Sequence, residues 1–397
     1  MITDEQAKTL VAKYGSPLYI FDIDELRQRT QAIRQILGEY IGLCYAMKAN
    51  PFLVDYLSKM TDGIEVCSPG ELEICKKMHV PDEKIILSGV HKSNSNFNDL
   101  AKTRFKGIIT IESKLQFKYL IENLSPNHNV NVILRLTSGN QFGMEQEEIE
   151  YLTRESKNYP NVNVCGLHFF SGTQKKDLDI IEKEISLVNE TLLSMMHILN
   201  AESLRIEYGP GLFVDYFNDV DINDLCFLKS TVEKFTALKG KVVIELGRYI
   251  AASCGYYITK VADKKHNAGH NYCIVDGGIH QLHYYGQMLG IKSPIFRHIK
   301  TNNKPDDKDE ELWNVCGSLC TVNDFLLRNA KLQTVDIGDL FMFQNTGAYS
   351  VTESVALFLS RDLPLVLLID DNKEIVARKR LSTSNLNCLG GIVNGLV

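Results

Sequence analysis

The chain has 397 residues, 44% of them hydrophobic and 23% charged, and a formal net charge of −6. That length exceeds what one ordinary core organises and predicts two domains. The mild acidity and the lack of a basic block argue against a nucleic-acid partner. No apolar run approaches the roughly 20 residues of a membrane span, and the acidic, polar start (Met1-Ile2-Thr3-Asp4-Glu5) argues against a secretory signal. Ten cysteines lie mostly in apolar segments such as Val66-Cys67 and Val164-Cys165-Gly166. This fits free thiols in a reducing cytoplasm better than a disulfide framework. Cys316 and Cys320 have no histidine cluster near them in sequence, so no structural metal site is expected.

In chain order, Leu18-Tyr19-Ile20-Phe21 is strand-like. Eight short apolar runs follow: Leu43–Met47, Ile64–Val66, Lys84–Leu87, Gly107–Ile111, Asn131–Arg135, Val164–His168, Leu204–Tyr208 and Val242–Glu245. Helix-patterned stretches separate them, among them Pro69–Met78, Glu147–Lys157, Lys175–Leu199 and Asn223–Leu238. Strands alternating with helices imply parallel pairing. A doubly wound sheet also alternates, but eight such units are the count of a (β/α)8 barrel, expected over residues 25–255. After about residue 255 the pattern turns to strands with little helix: Tyr256–Val261, Tyr272–Val275, Trp313–Val315, Asp339–Gln344 and Leu363–Ile369. We expect a second β domain, sandwich- or barrel-like, built from residues 1–24 with 256–397. Within it, Thr301 to Glu311 reads as a solvated loop, and Gln281 to Gln287 reads equally as pocket lining or as packing.

In a parallel barrel the chemistry sits at the C-terminal strand ends. The first strand runs into Tyr45-Ala46-Met47-Lys48-Ala49-Asn50-Pro51. A lysine there is costly unless paired or uncharged, and one held neutral can form an imine with a carbonyl cofactor. The sixth runs into His168-Phe169-Phe170-Ser171-Gly172-Thr173-Gln174, the seventh into Gly209-Pro210-Gly211, and the eighth into Glu245-Leu246-Gly247-Arg248. Glycines permit close backbone approach and free N–H groups for an anion, Arg248 suits a bidentate phosphate contact, and Thr173 adds a hydroxyl. Glu245 against a ring nitrogen would keep that nitrogen protonated, and Phe170 or His168 can pack on the ring face. Each part has a plainer reading: a Gly-Pro-Gly turn, a loop ion pair, a core histidine. Their joint placement at strand exits favours the functional one.

These segments, with Glu65-Val66-Cys67-Ser68-Pro69-Gly70-Glu71, Gly166-Leu167-His168, Cys316-Gly317-Ser318-Leu319-Cys320 and Gly347-Ala348-Tyr349, resemble the pyridoxal-phosphate decarboxylases of the diaminopimelate and ornithine decarboxylase group, with an alanine-racemase-like fold. The resemblance runs from about Pro17 to Ile369. It implies that Lys48 links to the aldehyde of pyridoxal 5'-phosphate and that Glu245 pairs with the pyridine nitrogen. It implies that Thr173, Gly209, Gly211, Arg248 and Tyr349 hold the phosphate. It further implies that Cys320 reaches the reacting centre across a homodimer interface, that the substrate is an amino acid, and that the product is an amine and carbon dioxide.

Three positions depart from the family pattern. Phe170 stands where a stacking histidine is usual, and Pro210 removes one N–H from the glycine loop. Thr321, after Cys320, replaces an acidic residue that would bind a far ammonium, a role Asp324 is then expected to take. Cys320-Thr321-x-x-Asp324 and the Ile274–His280 segment resemble the decarboxylase acting on glutamate tethered to an acyl-carrier protein, which stands as an alternative substrate reading. A racemase on the same fold and a non-catalytic cofactor-binding homologue are further alternatives.

Overall fold

Short polar side chains set the helix starts after the barrel strands. Ser68, Ser93, Ser113 and Asp177 each accept a backbone N–H from the first turn of the helices Pro69–Lys77, Asn94–Thr103, Lys114–Asn123 and Leu178–Leu199. That capping satisfies donors which the helix itself leaves open. The computed structural model describes residues 1–218, 225–283, 292–302 and 309–389. These fall into two compact units, one of Thr30–Val214 with Asn223–Ile250, the other of Met1–Arg29, Asp215–Ile222 and Ala251–Val397.

Strand β1 (Leu18–Asp22) belongs to the second unit. The first unit holds β2 (Gly42–Ala46), β3 (Gly63–Val66), β4 (Ile85–Leu87), β5 (Ile108–Ile111), β6 (Val130–Leu136), β7 (Val162–Phe170), β8 (Arg205–Gly209) and β9 (Lys241–Leu246), all parallel in a closed barrel. Pairing of Cys44 with Glu245 and Tyr45 with Leu246 closes the seam between β2 and β9. The register also aligns Arg135, His168 and Glu207 across β6, β7 and β8. The barrel expectation is met, and the strands are largely buried along their length, as a parallel sheet covered on both faces requires.

In the second unit, β10 (Gly255–Asn267), β11 (His270–Val275), β12 (Phe296–Ile299), β13 (Glu311–Cys316), β14 (Phe325–Leu332), β15 (Leu340–Phe343), β16 (Leu365–Asp370) and β17 (Lys373–Arg378) join β1 in a nine-stranded mixed sheet. β1 pairs antiparallel with β10 and parallel with β16. Its core packs Leu18, Ile20, Tyr256, Ile258, Met342 and Leu367 with Ala7 and Leu10 of the helix Asp4–Tyr14. Three of its strands went unread in the sequence, for one reason. β12 and β17 carry charged or polar residues at half of their positions and β14 at three of eight, and β17 is an almost fully exposed edge. In the loop read as solvated, residues 303–308 lie outside the described residues, as do Tyr284 to Gln287 of the other ambiguous segment.

Where β7 meets β8, Gly166 sits so close to its neighbour that an added Cβ would stand 2.3 Å from the Arg205 carbonyl oxygen. Backbone cannot yield cheaply there. Gly166→Ala is expected to destabilise the barrel by about 1–3 kcal/mol, measured as a lowered denaturant midpoint at unchanged slope. An unchanged midpoint would contradict this packing.

Candidate active site

Lys48 lies just past the end of β2, in the single 3-10 turn Met47–Ala49 that the chain makes before Asn50-Pro51. Its Nζ donates to Glu65 Oε2 at 2.7 Å and approaches the Cys67 sulfur at 3.7 Å. Glu65 is buried on β3, and burial alone would raise its carboxyl. The Lys48 charge and hydrogen bond outweigh that and hold it down at about 2. Of the two options the sequence left for Lys48, paired or uncharged, the structure supplies a partner in Glu65. Burial pulls Lys92, after β4, down to about 8, with its Nζ on the Gly89 carbonyl at 2.5 Å, and it lowers Lys175 as well.

Glu245, at the end of β9, is buried, and its Oε2 meets His168 Nε2 at 3.2 Å. Its Oε1 is buried with no hydrogen-bond partner among the described residues. Buried carboxylate oxygens are rarely left so, and this one fits a ring N–H. His168 is thus the partner of Glu245. The Phe170 ring, at the exit of β7, lies 5.8 Å from Lys48 Nζ. It packs where a Cβ on Gly209 would come within 2.7 Å of it.

The two loops read as a phosphate cradle do come together. Gly211 has φ +61°, and a Cβ there would stand 1.9 Å from the Gly172 carbonyl and 3.0 Å from the Thr173 Cα. The Lys175 N–H donates to Gly211 O at 2.9 Å, and Gln174 exchanges two hydrogen bonds with Val214. Arg248 is buried just after β9. A small anion and a flat ring therefore have matching surfaces in this unit: glycine backbone, a hydroxyl, a guanidinium, an aromatic face and an open carboxylate oxygen.

Three carboxylates in this region carry no role in the sequence reading. Glu65 holds Lys48. Glu184, on the long helix Leu178–Leu199, accepts from Lys175 Nζ at 2.7 Å, from Tyr208 Oη at 2.6 Å and from Ser171 Oγ. It ties the β7 and β8 exits to one another. Glu207, on β8, accepts from Arg205 Nε at 2.6 Å and is fully buried. Oxygens of Glu207 and Glu245 and the Cys44 sulfur lie within 4.8 Å of one another. Two full negative charges that close repel by about 3 kcal/mol at an effective dielectric near 20. The available signal was an acidic residue inside an otherwise apolar strand, Gly-Ile-Glu-Val for Glu65 and Arg-Ile-Glu-Tyr-Gly for Glu207.

Cys320, Thr321, Asp324 and Tyr349 belong to the other unit. Cys320 and Thr321 are exposed on the β13–β14 loop. Asp324 is not available as an ammonium partner, and this corrects the expectation. It is buried, with Oδ1 accepting from the Ile279 N–H at 2.9 Å and Oδ2 from the Leu319 N–H at 2.7 Å. Both oxygens are spent on the loop, and an added Cβ on Gly317 would collide with them at 2.3 Å. Tyr349 has φ +67°, and its carbonyl accepts from Thr352 and Glu353 in a tight turn.

Residues 23–252, more than half of the chain, match the profile described as pyridoxal-dependent decarboxylase, pyridoxal binding domain. The chain belongs to that family. It is 25% identical to the diaminopimelate decarboxylase of Aquifex aeolicus over 94% of this chain and 91% of that one. It is 24% identical to the L-glutamyl-[BtrI acyl-carrier protein] decarboxylase of Niallia circulans over 93% and 92%. In structure it is similar to the Helicobacter pylori diaminopimelate decarboxylase complexed with L-lysine, with a TM-score of 0.81 at 23% identity over 96% and 98%. This protein is accordingly a pyridoxal-phosphate-dependent carboxy-lyase acting on an amino acid or amino-acid derivative. The racemase and non-catalytic readings are set aside.

Two outcomes follow from the site. Glu65 titrates well below its unfolded value, so its contribution to stability is complete above about pH 4.5 and is lost as pH falls toward about 2. Glu65→Gln should flatten the fall in unfolding free energy between about pH 5 and pH 3, followed by denaturant titration. Glu184→Ala leaves Lys175 and the Tyr208 hydroxyl unpaired. It should cost about 3 kcal/mol and weaken cofactor retention, read by thermal melting and by cofactor absorbance after gel filtration.

Proposed function

We propose that the site residues work as follows. Bound pyridoxal phosphate supplies an aldehyde for amines and a ring that accepts the bonding electrons when carbon dioxide leaves. Lys48 provides the amine that links to that aldehyde, and Glu65 holds it at the mouth of the barrel. Glu245 keeps a proton on the ring nitrogen through its open Oε1, with His168 fixing the other oxygen. Phe170 covers the ring face. Thr173, Gly209, Gly211, Arg248 and Tyr349 hold the phosphate. Cys320 serves as proton donor at Cα, contributed by the partner subunit of a homodimer. The observation that carries this reading is the buried Oε1 of Glu245, without a hydrogen-bond partner among the described residues, in the unit that also holds Lys48.

For the substrate we propose an amino acid whose far end carries no free ammonium, with carrier-protein-bound glutamate as the leading case. Thr321 is neutral, and Asp324, the one carboxylate of the Cys320 loop, is spent on backbone amides. A far ammonium would lose a charge-assisted contact there. A diamino-acid substrate is the second reading, supported by relatives that are diaminopimelate decarboxylases. A cytoplasmic location is proposed on the free cysteines; no described helix is long and apolar enough to cross a membrane.

Lys48→Ala should lower turnover by at least about 10³-fold and abolish the visible absorbance of the cofactor linkage. Normal activity in that variant would end the assignment. Carbon-dioxide release should be greatest with carrier-bound glutamate in a screen that also holds lysine, ornithine, meso-diaminopimelate and carboxynorspermidine. A clear preference for any of these amino acids with a free far amine overturns the substrate proposal and leaves the cofactor assignment standing.

A further inference from the structure

Below Glu245, the barrel interior holds a second carboxyl that the reaction does not use directly. Glu207 is fully buried, with Oε2 on Arg205 and Oε1 without a hydrogen-bond partner among the described residues. The groups facing it come from four strands: Arg205 on its own β8, Glu245 on β9, Cys44 on β2 and His168 on β7. Cys44 is a thiol whose ionisation burial suppresses, so it contributes no charge. One guanidinium and one imidazole thus face two carboxyls that approach within 4.8 Å in a space without water access. Like charges so placed do not both stay ionised; one member of such a pair keeps a proton.

We propose that Glu207 carries the proton of this pair and so acts as a positioning residue, leaving Glu245 as the ionised member that meets the cofactor's ring nitrogen. The assignment of the proton follows from the surroundings. Glu245 has the imidazole of His168 on one oxygen and lies at the strand exit, where a cationic ring can reach it. Glu207 lies deeper in the barrel, and a protonated Glu207 still accepts from Arg205 through its carbonyl oxygen while removing the repulsion on Glu245. Burial first, and then the Glu245 charge against the opposing pull of Arg205, lifts Glu207 to about 7, consistent with a proton held into the neutral range. The proposal rests on Glu245 being the ring-nitrogen partner only in its second half. The proton on Glu207 is a property of the cofactor-free protein.

The test separates the two. Infrared difference spectra of the cofactor-free protein, taken across about pH 5 to 9, should show the C=O band of a buried carboxylic acid that disappears with rising pH. Glu207→Gln should remove that band at every pH. Arg205→Met, which strips the opposing positive charge, should extend the band to higher pH by about one unit or more. In the cofactor-loaded protein, Glu207→Gln should shift the midpoint of the absorbance-against-pH curve. A band that survives in Glu207→Gln puts the proton elsewhere and overturns the proposal, as does an unmoved band in Arg205→Met. A band that behaves as expected together with an unmoved absorbance midpoint keeps the proton on Glu207 but overturns its effect on the ring contact. Arg205→Met leaves Glu207 itself intact, so the proposal stays testable if the glutamine variant does not fold.

Discussion

Glu245 sets the terms for the rest of the barrel mouth. Placing a carboxylate at the buried end of β9 costs free energy unless both oxygens are satisfied. His168 satisfies one, and the other is left open. A folded chain tolerates that arrangement where a ligand completes it, and the C-terminal face of a parallel barrel is where ligands bind. In the proposed function, a protonated ring nitrogen at that oxygen would fix where the remainder of a planar cofactor goes. The aromatic face at Phe170, the amine of Lys48 and the joined loops at Gly172–Thr173 and Gly209–Gly211 each then have a part of it to meet.

Much of this was legible before any coordinates. Eight apolar runs spaced by helical segments predict the barrel, because a parallel strand buried on both faces must be apolar along its length. The strand exits were readable too, since glycine, threonine, arginine and glutamate at those points are hard to explain by packing. The roles of Glu65, Glu184 and Glu207 were not read from the sequence, because each depends on which side chains the fold turns toward it: Lys48 for Glu65, Lys175 and Tyr208 for Glu184, Arg205 and Glu245 for Glu207. Glu184 lies within a long amphipathic helix, where a glutamate looks like any solvated face until Lys175 and Tyr208 are seen to converge on it. Asp324 misled for the opposite reason. Its proximity to Cys320 in sequence suggested a ligand contact, but its oxygens turn inward to amides of Ile279 and Leu319.

The carboxylates around the barrel mouth make a consistent set. Glu65 pairs with Lys48, Glu112 with Arg135, Glu184 with Lys175 and Glu207 with Arg205, each through a contact of 3.0 Å or less. All four have a permanently charged or strongly basic partner inside the chain. Glu245 differs, with only an imidazole, at 3.2 Å. Among these five buried acids it is therefore the one whose ion pair lacks a lysine or arginine. Buried ion pairs are costly to assemble and costlier to break, so the pairs at Glu65, Glu112 and Glu184 serve to fix strand ends and loops in place.

That inequality supports the proposal that the chemistry belongs at Glu245 and not at its neighbours. A cationic ring arriving at Glu65 or Glu184 would compete with a lysine already held at 2.7 Å. At Glu207 it would meet Arg205 and a position without solvent access. At Glu245 it competes with nothing of full charge, and its arrival supplies the missing partner. Lys48 differs from the other cations in the set because its side chain is partly exposed, 38% against 8% for Lys175 and Arg135. The ion pair that is least sealed contains the amine that the proposed chemistry must release. The barrel mouth thus keeps one acid under-paired and one lysine accessible, and seals most of the remaining charge.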